Sequence, residues 1–509
     1  MAEKYDLIVI GAGNSGLMAA CRASRMGLKT LVIERHNLPG GAASSFVRGR
    51  FEFEAALHEV PSFGEGQELK ILFDELGIKT DMVQTRDSYR YIINADGKTT
   101  LDVTVPHGKE EVLAFVDREC PGDREAMEKF FMAVEDMEKG LEYFGASRGN
   151  PDPEVMKRDH SNYMKIMAMS SGEFFRSIGM SQKLIDILAA YWAYQGVDIE
   201  RVDASRYIMM LGGYFVDGAY VPRLRSHQLS SAIASRAAEL GCRFLYDTEV
   251  TKILTKKGAV SGVQVADGRV FEATAIASSA FPEVVYSKLI DNKDLVPKFE
   301  LKKANARSYG FRGFSVYLGI DLSPEELGIK DYTIFISDTT DTRKLYDGSG
   351  YIGKICELDV CCLNMVVPDC SPEGTTEIVL TLSYTEDAWA DVTETNYVET
   401  KRKVANDMID RFEEVLGISI RDHIEEIEIA SPVTFARYMY TPQGTIYGYM
   451  SDTWDGMSSR SAAGGTEPTV PGLFFVGGHA SSLSGFFPTY TSGNRTGFPI
   501  LGYVMGGGN

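Results

Sequence analysis

The chain has 509 residues, 44% of them hydrophobic and 24% charged. This is ordinary globular composition with ample apolar surface to bury, which excludes a mainly disordered protein. Lys+Arg 52 against Asp+Glu 71 leaves a net charge of −19, and that argues against nucleic acid, whose phosphates need basic patches.

Length alone predicts about three domains of ~150 residues. Seven cysteines, an odd number, show no zinc-type or CxxC spacing. They predict reduced thiols and a cytoplasmic protein without a metal site. No run of 18 apolar residues is present, so no membrane-spanning helix is expected.

The amino terminus reads as a βαβ unit. Residues 5–10 are apolar and β-branched and predict a buried strand that stops at Gly11. Residues 14–26 predict a helix, and 29–33 a second strand ending at Glu34. Gly11, Gly13 and Gly16 fall at the first strand-to-helix turn. In that context Gly11 permits the tight turn, Gly13 lets backbone approach a pyrophosphate, and Gly16 lets helix and strand pack closely. The helix N-terminus, with Asn14 and Ser15, offers unpaired N–H groups to phosphate. Glu34 accepts hydrogen bonds from a ribose diol and repels a 2′-phosphate, so the ligand has the ribose of FAD or NAD. Next comes Arg35 and then Gly40-Gly41-Ala42-Ala43-Ser44, small residues that let backbone pass close to a flat or phosphorylated ligand.

Residues 123–141 predict an amphipathic helix with Asp123 as N-cap and Met127, Phe130, Phe131, Val134, Met137 and Leu141 on one face. Residues 181–195 and 401–416 predict further helices. Aromatic and methionine residues crowd 191–220. They read as core, with a few walling a long apolar pocket. A helix is expected from Ser230 to Leu240, then a β-hairpin from 244–255 and 262–271. Residues 313–320, 331–336, 352–358 and 377–384 suit strands of a mixed sheet. At the carboxyl end, Leu473 to Val476 predict a buried strand closed by Gly477-Gly478. Pro488 to Ser492 precede a small-residue stretch, 493–497, where a helix starts.

The chain resembles the phytoene desaturase, carotenoid isomerase and retinol saturase group of FAD enzymes, within the amine oxidase-like flavoproteins. The motifs that carry the resemblance lie in matching order along almost the whole chain. They are the Gly11–Gly16 turn, the loop from Glu34 to Ser44, FEFEAALHEV at 51–60, LGGYFVDGAYVPRLRSHQ at 211–228, SPVTFARYMYTPQGTIYGY at 431–449, and the carboxyl-terminal segment. At 222–225, Pro-Arg-Leu-Arg replaces a glycine pair of the family pattern. In 51–60, Glu54 takes the usual Asp position, Ala56 replaces a Gly, and His58 matches the His.

The resemblance implies an α/β fold. A Rossmann-like FAD-binding domain of the glutathione reductase type would come from 1–75, 220–290 and 455–509. An interleaved α+β substrate domain on a mixed sheet would come from 76–219 and 291–454. It implies FAD as cofactor, with further contacts from Arg35, Gly40, Gly41, Ala42, Ser44, Val250, Gly477, Gly478, Pro488 and Thr489. Thr248 and Ile253 share the strand of Val250, which passes the adenine in the family. Arg437, Gly444, Tyr447 and Gly448 would sit on the substrate side.

The expected reaction is at C–C bonds of a small apolar polyene or isoprenoid. Desaturation, saturation and isomerisation all remain open. No second dinucleotide turn is seen, so a separate electron donor or acceptor is expected. His58 is the candidate for proton transfer, because an unperturbed imidazole titrates near neutrality; a hydrogen-bonded structural histidine is the alternative. His479 reads as a cofactor-loop or packing residue. Competing readings are an amine oxidase-like enzyme acting on C–N bonds and a non-catalytic escort of prenylated proteins. The intact glycines count against the escort. The acidic charge does not exclude peripheral membrane contact through a local hydrophobic patch.

Overall fold

The computed structural model describes the chain from Glu3 to Gly507, apart from residues 148–149, 386, 451–452, 457–459, 461–468 and 480–483. Two seven-stranded sheets organise it. In the first, β1 (Lys4–Ile10) lies between β2 (Thr30–Ile33) and the strand Val270–Ser278, parallel to both. Arg243–Leu245 extends the sheet beyond β2, also in parallel. Val270–Ser278 has two partners on its far side. The strand Ala259–Val265 pairs antiparallel with its first half, and Leu473–Phe475 pairs parallel with its second. Both faces are covered, so β1 and β2 read as near-continuous apolar runs. Leu7, Ile8, Val9, Leu31 and Val32 are fully buried.

The second sheet is mixed. Its order is Ile424–Ala430, Arg312–Ile320, Thr376–Tyr384, Glu357–Cys362, Thr333–Ser337, Tyr89–Ala95 and Lys98–Val105. Only the contact between Thr333–Ser337 and Tyr89–Ala95 is parallel. One face packs on the helix Tyr397–Leu416 through Val404, Met408 and Phe412. Because side chains alternate across a strand, the opposite face carries Ser315, Asp359, Cys361, Thr381 and Ser383. That face looks into a large cavity. The first sheet takes strands from both ends and the middle of the chain, and the second takes them from between, so the two are interleaved in sequence.

Several expected elements lie elsewhere. The strand expected at 352–358 is Glu357–Cys362, where Glu357 and Asp359 break the apolar pattern on the face away from Val404 and Met408, and Asp359 lines the cavity. The segment 243–245 joins the parallel edge instead of the hairpin, which pairs Val250–Lys256 with Ala259–Val265. The helix begun by Asp123 runs Arg124–Ala146, but Asp123 does not cap it. Its carboxylate accepts the Ser181 N–H at 2.8 Å and the Ser181 hydroxyl instead. The predicted helix over 181–195 is α-helical only for Gln182–Leu188 and tightens to 3₁₀ geometry over Ala189–Tyr194. The last helix starts at Phe486, not at the glycines after 492, and runs to Met505.

Candidate functional site

The glycine turn after β1 is packed as tightly as backbone allows. Gly11 has φ +95°, and a Cβ there would sit 2.0 Å from the Ser279 hydroxyl. A Cβ on Gly16 would lie 2.1 Å from the Gly11 carbonyl oxygen. The following helix, α1 (Asn14–Arg25), can therefore approach β1 only because Gly16 is bare. The Gly40-Gly41 loop lies against this turn. Gly40 donates its N–H to the Ala12 carbonyl at 2.8 Å, and Gly40 bridges to Gly13. A Cβ on Gly13 would meet nothing closer than the Gly40 oxygen at 3.9 Å, so bare backbone faces open space there. Beside it Asn14 Oδ1 is buried with no partner. Bare backbone, an orphan polar atom and the N-terminus of α1 together fit a pyrophosphate-bearing dinucleotide.

Glu34 ends β2. Its carboxylate accepts the Ala12 N–H at 2.6 Å and the His36 N–H at 2.8 Å. The chain 245–248 wraps it, with backbone bonds between Glu34 and both Leu245 and Thr248. Two carboxylate oxygens offer about four lone-pair sites, so capacity for a ribose diol remains. Val250, two residues beyond, is buried in the apolar core of the first sheet and does not line the cavity. Arg35 turns away. It donates to the Arg437 carbonyl at 2.6 Å and lies over the Tyr440 ring. Ser44 donates to the Gly41 carbonyl at 3.2 Å, closing the loop on itself.

The cavity has a volume of about 1430 Å³. Gly13, Asn14, Ser15, Gly40 and Ala42 line one part of it, together with Gly477, Pro488 and Thr489. Gly11, Gly16, Glu34, Gly41 and Gly478 lie outside its wall. The N-terminus of the last helix opens into it through Gly485, Phe486 and Phe487. Unpaired N–H groups there favour negative charge. The same helix crosses α1 at close range. Gly493 has no room for a Cβ beside Ser15, and the Ser15 hydroxyl donates to the Thr489 carbonyl at 2.8 Å. His479 faces elsewhere and stacks on Phe281 at 4.6 Å.

Segment 222–225, where the family pattern breaks, turns out to be a clamp. Arg225 adopts φ +68°. Its buried guanidinium binds Glu377 at 2.6 Å and the carbonyls of Glu52 and Cys370 at 2.8 Å each. Ser226 donates its N–H and hydroxyl to Glu54 at 2.7 and 2.6 Å. Ser230 donates to the Ala43 carbonyl at 2.7 Å. The helix Arg225–Glu239 thus holds the glycine loop, the 51–54 hairpin and the second sheet in one frame.

His58 lines the cavity, but its premise of near-neutral titration does not hold. Burial pushes its pKa down to about 4, because the charged ring is poorly solvated there. The ring is half-buried by surface area, its open side towards the cavity. Nδ1 lies 3.0 Å from the Tyr194 hydroxyl and Nε2 3.4 Å from Thr381 Oγ1. At neutral pH His58 is an uncharged, hydrogen-bonded group.

The neighbouring Glu59 carries no motif signal. It accepts the Tyr191 hydroxyl at 2.7 Å and Thr333 Oγ1 at 3.2 Å. Burial pushes its carboxyl up to about 8, so it holds a proton at neutral pH. Asp359, also on the cavity wall, is raised by burial as well. An acid inside an apolar stretch, or an arginine such as Arg206 inside a helix of aromatics and methionines, is the available sequence signal for these residues.

Residues 14–496 match the family described as flavin containing amine oxidoreductase. Among curated relatives, prolycopene isomerase 1 of an Oncidium hybrid cultivar is 23% identical over 467 residues, covering 88% of this chain and 76% of the relative. The all-trans-retinol 13,14-reductase of Danio rerio is 21% identical over 478 residues, covering 88% and 78%. Among solved structures, cyclohexylamine oxidase from Brevibacterium oxydans superposes with a TM-score of 0.62 at 15% identity, covering 99% of this chain and all of that one. At that identity the likeness establishes the fold. The chain belongs to the flavin-containing amine oxidoreductase family, as an oxidoreductase whose cofactor is FAD.

Proposed function

We propose that the chain acts on C–C single or double bonds of an apolar polyene or isoprenoid, by desaturation, saturation or isomerisation. One observation carries this reading: a single cavity lined by the dinucleotide cradle is also lined by the apolar side chains of Leu141, Phe144, Met209, Met210, Phe435 and Met439. Its volume exceeds the ~300–1,000 Å³ of drug-sized pockets, as a cavity for both a flavin and a long apolar chain must. The names of the two curated relatives, an isomerase of prolycopene and a reductase of retinol, support the same substrate class.

Bound FAD supplies hydride acceptance and donation, and the chain supplies binding, orientation and proton control. The N-terminus of the last helix, which opens into the cavity at Gly485–Phe487, would favour negative charge on a cofactor held there. Glu59 holds a proton beside Tyr191, and neutral His58, bonded to Tyr194, lies next to it on the cavity wall. A separate electron donor or acceptor completes the cycle where electrons are consumed. Among the described residues no helix is long and apolar enough to cross a membrane. Val216, on the cavity wall and 48% exposed, is the apolar position at which we place peripheral membrane contact.

The test is product analysis. The holoenzyme, oxidised or photoreduced under argon, is incubated with cis and trans polyenes and separately with primary amines. The reading requires a product altered at a double bond. Amine oxidation without any change to the polyenes contradicts it.

A further inference from the structure

Arg206 sits in the helix Ala204–Gly212. Its side chain shares a face with Met209 and Met210, one turn on, and all three line the cavity. Arg206 is only 4% exposed, and its Nε and Nη1 are buried without a hydrogen-bond partner. Two other arginines line the cavity among the described residues, and both have carboxylates: Arg225 binds Glu377 at 2.6 Å, and Arg495 reaches Glu68 at 3.6 Å.

The carboxylates near Arg206 are already committed. Asp203 Oδ1 caps the helix, accepting the Arg206 N–H at 2.9 Å and the Ser205 hydroxyl. Asp455 binds Arg307 and Arg460 at 2.9 Å each. The positive charge of Arg460 acts against Arg206, and the charges of Asp203 and Asp455 act for it without hydrogen-bonding Nε or Nη1. Burial lowers the Arg206 guanidinium to about 10, which leaves it charged at neutral pH. A buried, charged guanidinium with two nitrogens left unpaired opposes folding. It is also a group that a carboxylate can satisfy through charge-assisted hydrogen bonds.

We propose that Arg206 anchors a carboxylate at one end of the substrate, so that the molecule taken into the cavity is a polyene or isoprenoid acid and not a hydrocarbon. The inference rests on the reading of the cavity as the polyene site. Met209 and Met210 then flank the anchored end with adaptable apolar surface.

The test uses the full-length FAD holoenzyme, oxidised. It is titrated with all-trans-retinoic acid, all-trans-retinol and palmitate, following the flavin spectrum and thermal stability. The acid is expected to bind about a hundredfold more tightly than the alcohol, the range of a charge-assisted pair. Arg206→Met should abolish that preference while leaving retinol affinity and bound FAD unchanged, and Arg206→Lys should restore part of it. Arg206→Met removes a buried charge with two unpaired nitrogens in a similar volume, and its thermal midpoint, read in the same titration, separates loss of the anchor from loss of the fold. Equal affinity for acid and alcohol in the wild type overturns the proposal, as does a preference that survives in Arg206→Met. Loss of FAD from Arg206→Met also overturns it, because the guanidinium then serves the cofactor. Arg206-dependent binding of palmitate without any binding of retinoids keeps the anchor and refutes the polyene reading instead.

Discussion

Replacing His58 by Gln tests the electrostatics of the cavity with a number attached. An imidazole that titrates near 6.5 in the unfolded chain titrates at about 4 in the folded one. The unfolded state therefore binds the proton more readily, and stability falls as pH falls from 6.5 towards 4. Between pH 7.5 and pH 5 this group alone removes about 2 kcal/mol, from the ratio of proton-binding terms in the two states. His479, which burial lowers to about 3, adds a similar loss over the same interval, so the wild type should be markedly acid-labile. His58→Gln should recover the first share and leave the second. Gln keeps a hydrogen-bonding group opposite the Tyr194 hydroxyl. The assay is denaturant unfolding of holoenzyme at both pH values, with the difference between wild type and variant compared. A variant whose pH dependence matches that of the wild type refutes the reasoning. So does an imidazole resonance in the holoenzyme that titrates near 6.5. Holoenzyme is the correct sample, because an open, hydrated cavity returns the ring towards its ordinary value.

Three further substitutions probe other parts of the account. Glu59→Gln should act with the opposite sign. A carboxyl raised to about 8 gives stability that is complete below pH 4 and lost as pH rises through 8, by up to about 4–5 kcal/mol. The variant should lack that alkaline slope in unfolding measurements from pH 6 to 9. Arg225→Met strips the partner from buried Glu377 and should destabilise the protein by about 3–5 kcal/mol, read as a lower denaturation midpoint; Arg225→Met with Glu377→Leu should regain part of it. Gly16→Val forces a side chain to within 2.1 Å of the Gly11 carbonyl. It should lower FAD affinity about a hundredfold or more by displacing the N-terminus of α1, measured by flavin retention on gel filtration.

The parts legible in the sequence are those where one physical demand dominates. The βαβ unit at residues 4–33 shows its apolar runs and glycines because both sheet faces are buried, a side chain at Gly11 would strike Ser279, and Gly16 must let helix backbone touch the Gly11 carbonyl. The strand Leu473–Phe475 is legible for the same reason. The parts that were not legible serve two demands at once. Glu357 and Asp359 sit in a central strand whose other face is core, so their acidity disguised the strand. Arg206 hides among aromatics and methionines because the helix that buries it also walls the cavity. Asp123 stands at a helix start, yet its carboxylate is drawn to Ser181, 58 residues away in sequence. The pKa of His58 is set by burial under residues distant in the chain, such as Tyr194 and Thr381 beside its ring.

The most direct test of the central claim is the reaction of photoreduced holoenzyme with a conjugated polyene under argon, followed in a stopped-flow spectrophotometer. If flavin and polyene share one cavity, mixing should perturb the reduced-flavin spectrum saturably with polyene concentration. It should then either reoxidise the flavin or isomerise the polyene at a matching rate. A reduced flavin that polyenes leave spectrally and chemically unchanged, yet that reoxidises in air after reduction by an amine, contradicts the account.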